Sequence, residues 1–157
     1  MYTSIQSHRY LLQFSIKPSV QRTAVMEYLL KNRTHPTIDE IYLALSPTMP
    51  TLSKTTVYNT LNLFLERGAV QQLVIDEKNA RYDVDTTSHG HFICKSCGKV
   101  YDIFNLSPAL FELPKNTGFN VHAVEISYSG VCNECHQNSS AQKHLSTKAH
   151  SYSVLFL

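Results

Sequence analysis

From Ser19 onward apolar side chains return every three or four residues, the spacing that lines one face of a helix. Val20, Ala24, Val25, Tyr28 and Leu29 form the first such stripe, with Ser19 placed as its N-cap. Thr37-Ile38-Asp39-Glu40 has the spacing of a capping box behind Pro36, and Ile41, Tyr42 and Leu45 supply the buried side of a second, short helix ending near Pro47. A third helix starts at Ser53, carries Val57, Leu61, Phe64 and Leu65 on one side and stops at Gly68. The pattern from Ala69 to Val84 is different: two runs, Val70 to Ile75 and Ala80 to Val84, flank Asp76-Glu77-Lys78-Asn79 and predict a β-hairpin. Three helices, the last two separated by a short turn, then a hairpin, are the order of a winged helix-turn-helix.

The polar run Asp85-Thr86-Thr87-Ser88 then reads as a hinge. Beyond it the expected elements are strands at His91 to Cys94 and Val100 to Phe104, a short helix around Pro108 to Leu113, and a strand from Phe119 to Tyr128. The predicted organisation is therefore α+β. A winged helix spans 1–84, a hinge 85–88, a small α/β domain 89–137, and an extension 138–157 rich in Ser, Lys and His, whose mixed polarity points to flexibility or a swapped contact.

Composition narrows the class. The 157 residues are 43% hydrophobic and 17% charged, enough apolar matter for a core and no signature of a disordered chain. No apolar stretch approaches the roughly 20 residues of a membrane span, and the first residues lack a signal-like block, so the expected location is the cytoplasm, with no membrane partner. The net charge of +2 is unevenly spread: residues 1–67 carry +3 and the remainder −1. A modestly basic first half beside a neutral second half suits a nucleic-acid-binding domain joined to another module, and an ordinary solvated surface accounts for it about as well.

All four cysteines fall in two pairs of one form, Cys94-x-x-Cys97 and Cys132-x-x-Cys135. In a reducing compartment such knuckles point to metal before disulfide, and four thiolates make a closed, structural zinc site. Redox-active pairs and unligated core cysteines are the competing readings. Just upstream, His89-Gly90-His91 would place two imidazoles on one face of a strand, with Asp83, Asp102 and His35 as further donors. Three imidazoles and two carboxylates suit Fe(II), Mn(II) or Zn(II). Individually each has a plainer explanation: His35 as a helix-entry residue before Pro36, Asp83 as a surface ion pair with Arg81.

The run Arg81-Tyr82-Asp83, then Ser88 to Asp102 (SHGHFICKSCGKVYD), then Gly130-Val131-Cys132-Asn133-Glu134-Cys135 closely resembles the ferric uptake regulator family of metal-dependent repressors. The likeness reaches back through His35-Pro36-Thr37-x-x-Glu40-Ile41-Tyr42 and Thr56-Val57-Tyr58-Asn59, covering about residues 15–137. It implies a dimeric repressor that binds a double-stranded DNA operator, with structural Zn2+ on Cys94, Cys97, Cys132 and Cys135. It further implies a regulatory Fe2+ or Mn2+ on His35, Asp83, His89, His91 and Asp102, at the junction of two domains. Asp83 and Asp102 stand where iron-uptake members typically carry Glu, which favours the peroxide-sensing branch. There, ligand histidines are oxidised, and the positions concerned map to His35 and His89. A further family site could use Glu112 or His122. The family's Thr-Pro-Gln-Arg helix opening reads Ser19-Val20-Gln21-Arg22 here, and the last twenty residues have no counterpart.

One ion held by His35 in the DNA-binding half and by His89, His91 and Asp102 in the second module would tether both across the hinge. Linkage then makes metal and DNA favour each other by about 1–3 kcal/mol. For DNA itself, the third helix presents Lys54, Thr55, Tyr58 and Asn59: Asn can read adenine, and Tyr or Thr can pack on a thymine methyl. Lys17 matches a basic family position that reaches the minor groove, and Arg22 suits a phosphate. Tyr58 buried in the core is the alternative, as is simple solvation of the two cations. The resulting expectation is a peroxide-responsive repressor without turnover. An iron- or zinc-level sensor of the same family and a small non-haem iron enzyme are the competing functions.

Overall fold

The computed structural model describes residues 4–74, 80–112 and 118–138. The extension beyond 138 and the tip of the hairpin lie outside them. The chain divides into two compact units, 1–88 and 89–157.

The first unit opens with α1 (Ser4–Gln13), followed by α2 (Val20–Lys31), α3 (Ile38–Leu45), α4 (Lys54–Glu66) and the hairpin β1 (Gln71–Val74) and β2 (Ala80–Asp83). Helix α1 is not anticipated by the sequence pattern. Its inward positions include Ser7 and Leu11, with Tyr10 and Phe14 at the core's edge, while Ile5 and Leu12 face solvent. A serine in the buried stripe and two leaky apolar positions blur the helical period. Packing on α2 holds the helix, as does Tyr10, whose hydroxyl donates to the carbonyls of Ala69 and Val84 (3.2 Å each) at the two feet of the hairpin.

The three capped helices form as their sequences dictate. Ser19 accepts from the Arg22 N–H, Ser53 from the Thr56 N–H, and Thr37 and Glu40 make a reciprocal capping box. Thr37→Ala removes one half of that box and is expected to lower stability by about 1 kcal/mol, read from denaturant unfolding of the first unit. Helix α4 ends in a Schellman turn: Gly68, at φ +69°, donates to Leu65 and Ala69 donates to Phe64, the left-handed step that glycine takes without strain. Val25, Leu29, Ile41, Val57, Leu61 and Phe64 fill the core as their spacing predicts. Val20 does not; it is 80% exposed, because the first residue of α2 falls on the outer side of the stripe. The hairpin is antiparallel, with Gln71 opposite Asp83 and Val74 opposite Ala80.

The second unit is a three-stranded sheet in the order β4-β3-β5, from β3 (Gly90–Cys94), β4 (Val100–Ile103) and β5 (Ser127–Gly130), with a 3-10 turn at Pro108–Phe111. Strand β3 is antiparallel to β4 and parallel to β5. The strand expected over Phe119 to Tyr128 is displaced to Ser127–Gly130. Its parallel register sets Ser127 opposite His91, and just before it the Ile126 carbonyl still accepts the His91 N–H at 2.9 Å; Phe119, Val121 and Val124, further upstream, are exposed. Among the described residues of this unit the buried apolar side chains are Cys94, Val100 and Cys132. So small a core calls for a staple.

Candidate functional site

The staple is built by the sheet register. Cys94 closes β3, and Gly98 at φ +72° lets the chain turn back, its N–H donating to the Cys94 carbonyl while the Cys94 N–H donates to Lys99 (2.9 Å each). The parallel pairing sets Gly130 opposite Cys94, and the Lys95 N–H reaches the Gly130 carbonyl at 2.7 Å, so Cys132 arrives beside the first knuckle. All four sulfurs come within 4.8 Å of one another, and Cys97 Sγ to Cys132 Sγ is 3.8 Å. A disulfide needs about 2.05 Å; the edge of a tetrahedron with zinc–sulfur bonds of about 2.3 Å is about 3.8 Å.

Protonation points the same way. The N–H groups of Cys132 (3.3 Å) and Cys97 (3.5 Å) aim at the Cys94 sulfur and lower its pKa to about 6. The Cys135 N–H and the Tyr101 hydroxyl lower that of Cys132. Cys135 is pushed up to about 12: a hydrogen bond with Ser96, the largest single influence, pulls it down, but the sulfurs of Cys132, Cys97 and Cys94 together with burial outweigh it. Four sulfurs this close cannot all be thiolates without a cation among them, and the set fits a structural zinc.

The oxygen and nitrogen donors fall in both units. In the first, β2 does two jobs. Arg81 Nη1 donates to the His35 carbonyl (3.0 Å), the Tyr82 N–H donates to Pro36 (3.1 Å), and the strand then ends on Asp83. These bonds hold His35 at φ +52°, a left-handed conformation that costs a side-chain-bearing residue roughly 1 kcal/mol. His35 Nε2 lies 3.7 Å from Asp83 Oδ2, and both residues are buried, at 2% and 4% exposure. The surface-pair reading of Asp83 is thereby overturned: Arg81 turns to His35 and to Glu40 (3.5 Å). Gln71 Nε2 donates to Asp83 Oδ2 (3.0 Å) and the Asp85 N–H to Oδ1 (2.9 Å).

In the second unit the antiparallel register places Asp102 directly across from His91, and His89 joins them one residue before β3 begins. His89 Nε2 and His91 Nε2 lie 3.4 and 3.7 Å from one and the same Asp102 oxygen, with the two rings edge to face at 4.5 Å and His89 stacked on Phe104 at 5.1 Å. Both histidines are buried. Gly90 fits between them because a Cβ there would meet Leu106 Cδ1 at 2.7 Å and the Ile126 carbonyl at 3.3 Å.

These nitrogen–oxygen separations exceed the 2.7–3.2 Å of a hydrogen bond. They match two donors on one ion, which at bond lengths of about 2.0–2.2 Å stand roughly 3–4 Å apart. Imidazole and carboxylate together fit Fe(II) or Mn(II) as a regulatory metal. Neither Glu112 nor His122 joins a metal-capable donor group among the described residues; both are exposed.

Lys54, Thr55, Tyr58 and Asn59 lie together on the exposed side of α4, opposite Val57, Leu61 and Phe64, so the buried reading of Tyr58 fails. Lys54 also pairs with Asp39 (2.9 Å). Lys17, Arg22 and Asn59 line one groove, where Arg22 Nη1 holds the Lys17 carbonyl at 2.8 Å. Sequence reasoning missed Arg81 and Gln71 as supports of His35 and Asp83. Only the strand register exposes them.

Comparison with known proteins agrees with this geometry. Residues 13–129 match the ferric uptake regulator family. The peroxide-responsive repressor PerR of Staphylococcus aureus (strain Mu50 / ATCC 700699) is 40% identical over 129 residues, covering 80% of this chain and 86% of that one. The solved Campylobacter jejuni peroxide stress regulator is 28% identical with a TM-score of 0.59, covering 86% of this chain and 100% of its own. The Helicobacter pylori ferric uptake regulator Fur, described as having three functional metal binding sites, shares the fold at 21% identity and a TM-score of 0.63, over 86% and 95% of the two chains. With the family model matching residues 13–129 and a relative 40% identical over 80% of its length, this chain belongs to the ferric uptake regulator family.

Proposed function

We propose that this protein is a homodimeric, metal-dependent transcriptional repressor that releases its operator when hydrogen peroxide oxidises a ligand histidine. The carrying observation is that buried imidazoles stand at metal-sharing distance from aspartates in both units, His35 with Asp83 and His89 with His91 and Asp102. One Fe(II) or Mn(II) taking all five would link the DNA-binding unit to the second unit. Both carboxylates are Asp, and the relatives named for peroxide response support that reading.

The residues divide the work. Arg81 and Tyr82 preset His35, Gln71 and the Asp85 N–H preset Asp83, and the zinc staple fixes the strand carrying His91. Lys54, Thr55, Tyr58 and Asn59 face the major groove, with Lys17 and Arg22 on the backbone or minor groove. Held by these histidines and aspartates, iron(II) would supply the redox chemistry for splitting the peroxide O–O bond. At the protein, one peroxide oxygen would be inserted into a ring C–H bond of His35 or His89 and the other would leave as water, a net two-electron oxidation of the ring by peroxide that makes it a poorer ligand. Tyr128 on β5 and Val131 just after it are exposed apolar side chains at an edge of the sheet, suited to a second copy of the chain.

Mass spectrometry tests the sensor. Iron-loaded protein given mild peroxide should gain one oxygen on the peptide holding His35 or His89, and manganese-loaded protein should not. No added oxygen on either peptide would favour an iron-level sensor, for which the same site would serve without oxidation. Turnover of an organic substrate with dioxygen would instead indicate a non-haem iron enzyme.

A further inference from the structure

Asp83 Oδ2 faces His35 Nε2 at 3.7 Å and at the same time accepts a hydrogen bond from Gln71 Nε2 at 3.0 Å. The other oxygen, Oδ1, accepts the Asp85 N–H at 2.9 Å. Gln71 is itself immobilised: it is register-paired with Asp83 in the hairpin, and its amide also donates to the Asp85 carbonyl at 2.6 Å. Both carboxylate oxygens are thus held by donors from β1 and from the chain after β2. Each carboxylate oxygen offers two acceptor directions. Gln71 takes one on Oδ2, and the same oxygen lies 3.7 Å from His35 Nε2.

We infer that Gln71 is a positioning residue for the regulatory metal, fixing Asp83 as a one-oxygen ligand whose Oδ2 points with His35 Nε2 at a common ion. This rests on the metal reading above. Asp85 Oδ1 is already committed to the N–H and hydroxyl of Thr87, so the segment that follows the ligand is braced too and cannot easily follow a rotating carboxylate. A neutral amide is the right donor here because it orients the carboxylate without cancelling its charge, whereas a cation in its place would compete with the metal. Partners of this kind typically change metal affinity by 10–100-fold.

The test is calorimetric titration of Mn(II) into zinc-loaded full-length protein, together with the electron paramagnetic resonance spectrum of the bound Mn(II). Gln71→Met keeps the length of the side chain and removes its N–H. It should weaken Mn(II) binding about tenfold or more and alter the bound-manganese spectrum, since the ligand field changes when Asp83 rotates. A residue that merely supports the hairpin would leave that spectrum unchanged. Gln71→Leu serves the same purpose if the methionine variant loses its zinc or its helical circular dichroism. His35→Ala and Asp83→Ala provide the separation. If both abolish Mn(II) binding while the Gln71 variants stay within twofold of wild type, the role of Gln71 is overturned and the site stands. If His35→Ala and Asp83→Ala leave Mn(II) binding intact, the site and the role fall together.

Discussion

Cys132→Ser is expected to remove the zinc and unfold the second unit while the first stays folded. In that unit the buried apolar side chains among the described residues are Cys94, Val100 and Cys132, two of which are themselves zinc ligands. A three-stranded sheet with so little to bury cannot offset the entropy of ordering its chain. A structural zinc contributes on the order of 10–16 kcal/mol in small zinc-dependent peptides, comparable with or above the whole stability of an ordinary domain, about 5–15 kcal/mol. The first unit has its own core, from Leu11 through Phe64 to Val84, and does not draw on the metal. Hydrogen exchange should therefore show protection lost across β3, β4 and β5 and kept in α2 and α4, with zinc content falling from one per chain to near none. A zinc-free variant with its sheet still protected would show that the staple is dispensable.

His89→Ala is expected to abolish the effect of metal on DNA binding under the proposed function. Its Nε2 shares one Asp102 oxygen with His91, at 3.4 and 3.7 Å, so its loss removes one of three donors from the second unit and leaves a gap beside Phe104. If metal couples the units, Mn(II) should tighten binding of the wild type to a duplex selected from a random pool by about 5–150-fold, the span of 1–3 kcal/mol. In the variant the same addition should change affinity less than twofold, measured by fluorescence anisotropy, with the zinc content unaltered. Mn(II) that still tightens duplex binding in His89→Ala would remove the regulatory role from this histidine.

Much of this was legible along the chain because it depends on neighbours in sequence. The N-caps Ser19, Thr37 and Ser53 act on groups three residues away. Gly68 ends α4 through its own backbone freedom, and the first CxxC turn is closed locally by Gly98. Family motifs carried the ligand types, since a motif position is read as a residue identity and needs no geometry. Helix α1 escaped because its buried side includes Ser7, and the end of the Phe119 to Tyr128 run was misplaced because strand limits are set by the partner. The pattern of side chains states a preference for extended backbone; only the length and register of β3 state where hydrogen bonds can be made.

Residue types, caps and spacing thus determined helices α2, α3 and α4, the thiolate set of the zinc site and the histidines and aspartates available to a second metal. Tertiary structure decided which atoms share an ion and what holds them. Asp102 meets both His89 and His91 through one oxygen because β3 and β4 pair antiparallel in a single register. Gln71 meets Asp83, twelve residues on, because β1 and β2 do the same. A slip of one residue would turn each side chain to the opposite face. Register is a property of two paired backbones, and no single stretch of sequence contains it.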